Sequence, residues 1–255
     1  MFTLKDKVIL ITGAGSGIGA ASAQLVASLG AKVAICGIPS KGVENTAQSL
    51  LNQGHEAMGL TLDVTDEEQV KNAFARVVER WARVDVVVAN AGIQRHQTDR
   101  DLYKMDLDEW ETTQDVNSRG VVRTVKHGLA QMMQQENGGS IIIMSSITGL
   151  NGRTPNVSYM TAKTGLLGLN KHIAVHYAKH GIRCNAICPG ALEQTPDWDD
   201  HPDPVGRKET MESAVPLGRL GRNEDIAPWV AFLSSDQTAY TSGAVMVVDG
   251  GMTVV

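Results

Sequence analysis

The stretch ITGAGSGIGAA, residues 11–21, decides the fold. It follows an aliphatic run at 7–12 and opens an amphipathic segment at 17–29. Its glycines let the backbone turn tightly and approach a ligand, and the helix start beyond them offers N–H groups and a positive dipole end to a pyrophosphate. A second aliphatic run at 32–36 completes the spacing of a dinucleotide-binding unit. We therefore expect a dinucleotide site here, with a merely structural turn as the alternative.

Short aliphatic runs alternate with longer amphipathic segments along the whole chain. The runs predict strands at 7–12, 32–36, 56–62, 84–90, 140–145, 182–188 and 244–249. The segments predict helices at 17–29, 41–53, 66–82, 108–135, 157–180 and 223–234. Continuous β-branched runs are typical of parallel strands that are covered on both faces. The alternation predicts a single α/β domain over residues 1–255, a Rossmann-like, doubly wound parallel sheet of about seven strands with helices on both faces.

One region departs from this alternation. Residues 191–215, ALEQTPDWDDHPDPVGRKETMESAV, show no clear strand or helix pattern, and the first part of the region is rich in proline and acidic residues. Long irregular stretches in compact domains are usually lids or binding loops. We expect this region to form a lid over the substrate.

Composition restricts the class of protein. The chain of 255 residues is 42% hydrophobic and 20% charged, with a formal net charge of −5, which argues against nucleic acid as a partner. No apolar run reaches the ~18 residues that a membrane span needs, and the N-terminal sequence lacks the layout of a signal peptide. The three cysteines are odd in number and form no CxxC pair, so we interpret them as reduced, buried thiols. We expect a cytoplasmic protein.

The end of the second predicted strand bears on cofactor choice. In dinucleotide folds an acidic residue about 20 positions after the glycine turn binds the ribose 2′-hydroxyl of NAD. Gly37 stands at that position, with Ser40 and Lys41 shortly after it. The missing carboxylate favours NADP. NAD stays open as the alternative, because no arginine replaces the acid and Ser16 is also neutral.

Three motifs occur in a fixed order, TGAGSGIG at 12–19, NAG at 90–92 and YMTAK at 159–163. In this combination the sequence resembles the classical short-chain dehydrogenases/reductases over essentially its whole length. The resemblance implies an NADP- or NAD-dependent enzyme that interconverts a secondary alcohol and a ketone. It also implies a homotetramer, as is common in the family.

The resemblance assigns the cofactor site residue by residue. The implied cofactor-binding residues are Gly13, Gly15, Ser16, Gly17, Ile18, Gly19, Gly37, Asp63, Val64, Asn90, Ala91, Gly92, Tyr159, Lys163, Pro189, Gly190 and Thr195. Asp63 and Val64 would face the adenine, and Pro189 and Gly190 the nicotinamide. The family's threonine five residues after that proline is displaced here: Gln194 holds its place and Thr195 follows, so Thr195 is our expected contact and Gln194 the alternative.

The predicted catalytic residues are Ser146, Tyr159, Lys163 and Asn117. Tyrosine has a pKa near ~10, and a positive charge one helical turn away lowers it. Tyr159 is therefore the expected general acid/base, and Lys163 supplies the positive charge that lowers its pKa. Ser146 matches the family spacing and would bind the substrate oxygen, while Asn117 would support a water path to Lys163. The alternative is a surface tyrosine that happens to precede a lysine by four residues.

The substrate is the least determined part. Gln94, Arg95, His96 and Asn151 give the expected pocket a polar character, so we assign Gln94, His96, Ser146, Asn151 and Tyr159 to a small sugar- or polyol-like substrate. The alternative is that these residues face water at the rim. A 3-oxoacyl-[acyl-carrier-protein] reductase is the main alternative enzyme, and a non-catalytic dinucleotide sensor or scaffold is the alternative of another class. We expect no metal, since His172 and His176 lack a third ligand.

Overall fold

The computed structural model describes residues 3–193 and 204–255. Within them, seven strands form one sheet in the order β3-β2-β1-β4-β5-β6-β7, and every neighbouring pair is parallel. The strands are β1 (Val8–Thr12), β2 (Lys32–Gly37), β3 (Ala57–Thr61), β4 (Val86–Ala89), β5 (Gly139–Met144), β6 (Ile182–Pro189) and β7 (Val245–Val248). The predicted fold class, a Rossmann-like doubly wound sheet, is confirmed.

Helices cover both faces of the sheet. Those in the described residues are α1 (Gly17–Ser28), α2 (Ser40–Asn52), α3 (Glu67–Trp81), α4 (Leu107–Gln114), α5 (Gly120–Met132), α6 (Val157–His176), α7 (Pro204–Ser213) and α8 (Asn223–Ser234). Successive strand residues point to opposite faces, so Ile9 and Ile11 join the core under α1, α2 and α8, and Val8 and Leu10 join the core under α3, α5 and α6. This two-sided burial is why the central strands β1, β2, β4 and β5 are mostly aliphatic.

The strand order reverses between β1 and β4. From β1 the chain winds outward to β2 and β3, and it then returns to place β4 on the other side of β1. In open α/β sheets, ligands bind at such a reversal, outside the carboxyl ends of the strands. The end of β1 is Thr12, followed by the glycine turn, and the end of β4 is Ala89, followed by Asn90. The fold therefore brings both motifs to one edge.

One expectation about helices needs correction, and another gains a detail. The region 191–215 was expected to be irregular, but residues 204–213 form α7. Proline suits the first turn of a helix because its N–H is not needed there, and helix-favouring residues such as Lys208 and Glu209 follow it. The segment 108–135 was expected to be helical, and the chain is helical without a break from 107 to 132, with a π-helical turn at Asp115–Arg119 between α4 and α5. The lid itself stays a prediction, and residues 194–203 lie outside the described part.

The cysteines are buried inside this fold. Cys36, Cys184 and Cys188 are thiols without disulfide partners. Burial raises the pKa of all three, that of Cys36 to about 12, so none is a reactive thiolate at neutral pH. In the described parts of the chain no helix is long and apolar enough to cross a membrane.

Candidate active site

The glycine turn after β1 has no room for a side chain at Gly13 or Gly19. Gly13 has φ +66°, a conformation that side chains disfavour. A Cβ at Gly19 would lie 2.3 Å from the carbonyl oxygen of Gly13, because α1 packs directly on the turn. Ser16 precedes α1 without a side-chain capping bond to it, so it leaves the N–H groups of the first turn to a ligand. A backbone cradle at a helix N-terminus fits the pyrophosphate of a dinucleotide.

Asn90 ties the ends of β1 and β4 together. Its Nδ2 donates to the carbonyl oxygens of Thr12, at 2.9 Å, and Gly13, at 3.2 Å. The backbone N–H groups of Asn90 and Ala91 both donate to Oγ1 of Thr12. The first residues of the NAG motif are thus locked against the glycine turn, which fixes the shape of the cradle.

The predicted adenine side of the site is a turn after β3. Oδ1 of Asp63 accepts from the backbone N–H and the hydroxyl of Thr65, at 2.9 and 2.8 Å. Val64 is buried, and a Cβ added at Gly120 would lie 2.6 Å from its Cγ2. Since β3 and β2 follow β1 in the sheet, this turn lies on the β2–β3 side of the glycine turn.

The loop after β2 borders the glycine turn directly. A Cβ at Gly15 would lie 3.0 Å from the backbone nitrogen of Val43, so the start of α2 packs against the turn. Ser40 and Lys41 begin this helix and are exposed. Gly37 has φ +155°, a backbone conformation that side chains rarely adopt.

The two serines after β5 have different environments. Ser145 is buried, and its Oγ donates to the carbonyl oxygen of Lys163 at 2.8 Å. Ser146 is partly exposed, and its Oγ accepts the N–H of Thr148 at 3.2 Å in a short 3₁₀ turn, Ile147–Gly149. A hydroxyl that accepts a hydrogen bond can still donate one. Ser146 can therefore meet a substrate, whereas Ser145 fastens the helix that carries the lysine.

Tyr159 and Lys163 lie one turn apart on α6. Nζ of Lys163 is 5.4 Å from the centroid of the Tyr159 ring and donates to the carbonyl oxygen of Met144 at 2.9 Å. Lys163 is 3% exposed, and its burial lowers its pKa to about 8, against a smaller raising effect of Cys188. Tyr159 is only partly buried. The spacing in the sequence thus gives a real contact between an accessible phenol and a buried ammonium.

Asn117 lies in the π-helical turn and holds the backbone after the NAG motif. Its Oδ1 accepts the N–H of Ile93 at 3.0 Å, and its Nδ2 donates to the Ile93 carbonyl at 2.8 Å. A Cβ at Gly92 would lie 2.7 Å from Asn117 Oδ1 and 3.4 Å from Lys163 Nζ. Asn117, Gly92 and Lys163 therefore converge. The Asn117 amide is engaged on both sides, so its side chain acts here as a clamp.

The end of β6 completes the edge. The N–H of Gly190 donates to the carbonyl oxygen of Val248 at 2.9 Å, and a Cβ at Gly190 would lie 2.7 Å from Cα of Asp249. Pro189 and Gly190 thus reach the same edge as the other strand ends, because all the strands are parallel. The predicted contacts Gln194 and Thr195 lie outside the described residues.

The predicted substrate residues differ in their hydrogen-bond and ion-pair partners. Gln94 Nε2 and His96 Nδ1 lie 3.4 and 3.1 Å from Oδ1 of Asn156, so these three form one polar cluster. Arg95 instead pairs with Glu109 at 3.2 Å on the exposed side. Asn151 Oδ1 accepts the N–H of Arg153 at 3.1 Å in its own loop. Sequence reasoning missed Asn156, although an asparagine just before a predicted helix is a typical N-cap signal.

Two histidines that the sequence singled out lie far from this chemistry. His172 and His176 are exposed on α6, with ring centroids 4.4 Å apart. In the described ranges, no group of three or more histidine, cysteine, aspartate or glutamate residues could hold a metal ion.

Comparison with known proteins gives the family. A family model described as enoyl-(acyl carrier protein) reductase matches residues 13–253. The chain is 39% identical over 250 residues to cis-4-hydroxycyclohexanecarboxylate dehydrogenase of Sinomonas cyclohexanicum, covering 98% of both chains. The chain is a classical short-chain dehydrogenase/reductase. As a member of this family it is an NAD(P)-dependent oxidoreductase that interconverts an alcohol and a ketone.

Two further relatives of this dehydrogenase/reductase show how substrates vary. L-rhamnose 1-dehydrogenase (NAD(P)(+)) of a Sphingomonas species is 39% identical over 255 residues, covering 100% of this chain and 99% of the relative. A 3-oxoacyl-[acyl-carrier-protein] reductase of Thermotoga maritima is 36% identical over 251 residues, covering 98% of this chain and 99% of the relative. Relatives of nearly equal identity carry names of unlike substrates, so identity alone does not select the substrate.

Proposed function

We propose that Ser146, Tyr159 and Lys163 interconvert a secondary alcohol and a ketone on a small polar molecule. The observation that carries this proposal is the contact of Tyr159 with a buried lysine that also lies beside Gly92 at the edge of the glycine turn. Nicotinamide, when bound, accepts or returns the hydride. The glycine cradle, the Asn90 bridge and the ends of the parallel strands fit such a dinucleotide.

Each residue of the triad has a separate task. In oxidation, the Tyr159 phenolate takes the hydroxyl proton of the alcohol while the carbon gives up its hydride; in reduction both move back. The ammonium of Lys163 favours the phenolate. Ser146 donates a hydrogen bond to the substrate oxygen and stabilises the charge that develops there. Asn117 holds the backbone beside Gly92, which keeps Lys163 and the cradle in register.

The two adjacent serines provide a prediction. Ser146→Ala lowers kcat about 100-fold, because the hydrogen bond to the reacting oxygen is lost. Ser145→Ala is the matched control: it removes a buried bond to the Lys163 carbonyl and lowers the midpoint of thermal unfolding more than Ser146→Ala does. Steady-state kinetics of both variants measure kcat, and thermal melts measure the midpoint of unfolding. The assignment is wrong if Ser145→Ala has the lower kcat of the two.

The polar cluster of Gln94, His96 and Asn156 supports a substrate with hydroxyl or carbonyl groups beyond the reacting one. The relatives named for rhamnose and for a hydroxycyclohexanecarboxylate support the same class. The second candidate, a 3-oxoacyl-[acyl-carrier-protein] reductase, is favoured by the relative from Thermotoga maritima. The description of the matching family shares with it only the acyl carrier protein, since an enoyl reductase reduces a carbon–carbon double bond.

A substrate panel tests these candidates. We expect turnover of sugars, polyols or hydroxylated rings, measured as absorbance of the reduced cofactor with both NAD(H) and NADP(H). Turnover confined to 3-oxoacyl thioesters would establish the second candidate. Tight cofactor binding without any turnover would instead support a dinucleotide sensor.

Cofactor preference gives another prediction. We propose that NADP is preferred, because Ser40 and Lys41 begin α2 beside the glycine turn. Lys41→Ala then raises KM for NADP about 5- to 10-fold, since one charge-assisted contact to the 2′-phosphate is lost, and leaves KM for NAD within twofold. Lys5→Ala, an exposed lysine on another loop, is the control. An equal change in KM for both cofactors contradicts the assignment.

We also propose a cytoplasmic homotetramer. Exposed apolar side chains on α5 and α6, including Val122 and Val175, with exposed fractions of 45% and 72%, support association through these helices. Size measurement in solution by light scattering tests the assembly.

A further inference from the structure

Asp99 is a fully buried carboxylate that neither the sequence motifs nor the proposed chemistry uses. It lies in the loop between β4 and α4 and is 0% exposed. Its Oδ1 accepts the backbone N–H of Ser158 at 2.9 Å, and its Oδ2 accepts that of Tyr159 at 3.0 Å. A buried charge is costly unless it is hydrogen-bonded, so both oxygens have a function in the folded chain.

These two bonds cap the catalytic helix from outside. Asn156 is the residue before α6, and it makes no side-chain capping bond to the helix. The first N–H groups of a helix have no partner within it, and Asp99 supplies acceptors for two of them. A carboxylate at a helix N-terminus is also favoured by the dipole. The first turn of α6, which carries Tyr159, is therefore held by a residue about 60 positions earlier in the chain.

The side chain of Asn156 is used elsewhere in the same junction. Its Nδ2 donates to the backbone carbonyl of Asp99 at 2.7 Å. Its Oδ1 is the centre of the polar cluster with Gln94 and His96 described above. One loop, residues 94–99, therefore carries both the cap of α6 and two expected substrate contacts.

We propose that Asp99 is a positioning residue for Tyr159. Its carboxylate fixes the first turn of α6 against the loop that faces the substrate, so the acid/base and the substrate contacts move as one unit. This inference rests on the proposed function of Tyr159. Misplacing a catalytic group by about 1 Å costs up to about 100-fold in rate, which sets the scale of the expected effect.

Asp99→Asn is the direct test. The amide keeps one acceptor and turns a donor toward the other N–H, so the cap is half lost. We expect kcat to fall about 10- to 100-fold, while the Kd for reduced cofactor, measured by fluorescence, stays within twofold. The amides of Ser158 and Tyr159 should exchange hydrogen faster, as measured by mass spectrometry.

Asp66→Asn is the matched control. Asp66 accepts the N–H groups of Glu68 and Gln69 at the start of α3, at 2.9 and 3.1 Å, and takes no part in the proposed chemistry. It should destabilise α3 and leave kcat within twofold. If Asp99→Asn does not fold, Asp99→Glu keeps the charge but is one methylene longer, and the same fall in kcat is expected from the displaced turn.

The outcomes separate two kinds of failure. A variant of Asp99 that melts earlier but keeps wild-type kcat overturns the positioning role and leaves Asp99 as a structural cap. Unchanged hydrogen exchange at Ser158 and Tyr159 overturns the cap itself. If the wild-type protein turns over no alcohol or ketone, the proposed function fails, and the exchange measurement still decides whether Asp99 holds the first turn of α6.

Discussion

Tyr159→Phe lowers kcat by at least about 1,000-fold, because it removes the group that exchanges the proton with the substrate oxygen. The ring stays in place over the ammonium of Lys163, so cofactor binding and the midpoint of unfolding change little. Steady-state kinetics with the best substrate of the panel, together with a fluorescence titration of reduced cofactor, measure both quantities.

The control for this variant is Tyr177→Phe. Tyr177 follows the last residue of the same helix and packs against the core beneath α6. It has no part in the proposed chemistry. We expect its kcat within twofold of the wild type. A Tyr159→Phe enzyme that keeps a tenth or more of the wild-type kcat would exclude the proposed acid/base.

Lys163→Met lowers kcat about 1,000-fold, since the phenolate loses its stabilising charge, and at pH 7 it makes the fold more stable. The shift of the Lys163 pKa from 10.5 to about 8 corresponds to about 3 kcal/mol of destabilisation when the residue is charged. Lys163→Met removes this destabilisation, but it also removes the hydrogen bond to the Met144 carbonyl, and the loss of that bond costs about 1–3 kcal/mol. We therefore expect the midpoint of unfolding to rise by a few degrees at most.

The pH dependence of stability follows from the same residue. Below about pH 8 Lys163 is protonated in both the folded and the unfolded chain, and the full destabilisation from its buried charge is present. Between about pH 8 and 10.5 the unfolded chain holds more protons than the folded one, so the contribution of Lys163 to stability rises with pH. In Lys163→Met this rise is absent. Lys171→Met, at an exposed position of the same helix, is the control and should match the wild type.

The fold was predictable because its signals are local, and the triad stays a prediction that the motifs carry. The central strands β1, β2, β4 and β5 are mostly aliphatic because both faces of the sheet are covered there. The spacing of Tyr159 and Lys163 places them on one helix face, and the resemblance to the family, with its glycine turn and the position of Ser146, turns that spacing into a predicted triad. The structure adds the physical reason that Ser146 rather than Ser145 is available, since Ser145 is spent on the Lys163 carbonyl.

Other features depend on contacts between distant parts of the chain. Asp99 sits in a polar loop without periodicity, and only the fold brings it to the start of α6. The π-helical turn at Asp115–Arg119 is hidden inside a continuous helical pattern. α7 was missed because the prolines of this region favour a loop in the sequence, although Pro204 is the first residue of the helix. Arg95 was expected to border the substrate, and its ion pair with Glu109, 14 positions later, was not visible in the sequence.

The conformation of Gly37 limits how the cofactor preference of this enzyme could be redesigned. The usual route to NAD is an acid at the end of the second strand, but a side chain at φ +155° would be strained. The next residue, Ile38, is 59% exposed, so an acidic side chain introduced there would face solvent and not the core. An engineered switch of cofactor should therefore be built from Ile38 and the start of α2, leaving the strand end as glycine.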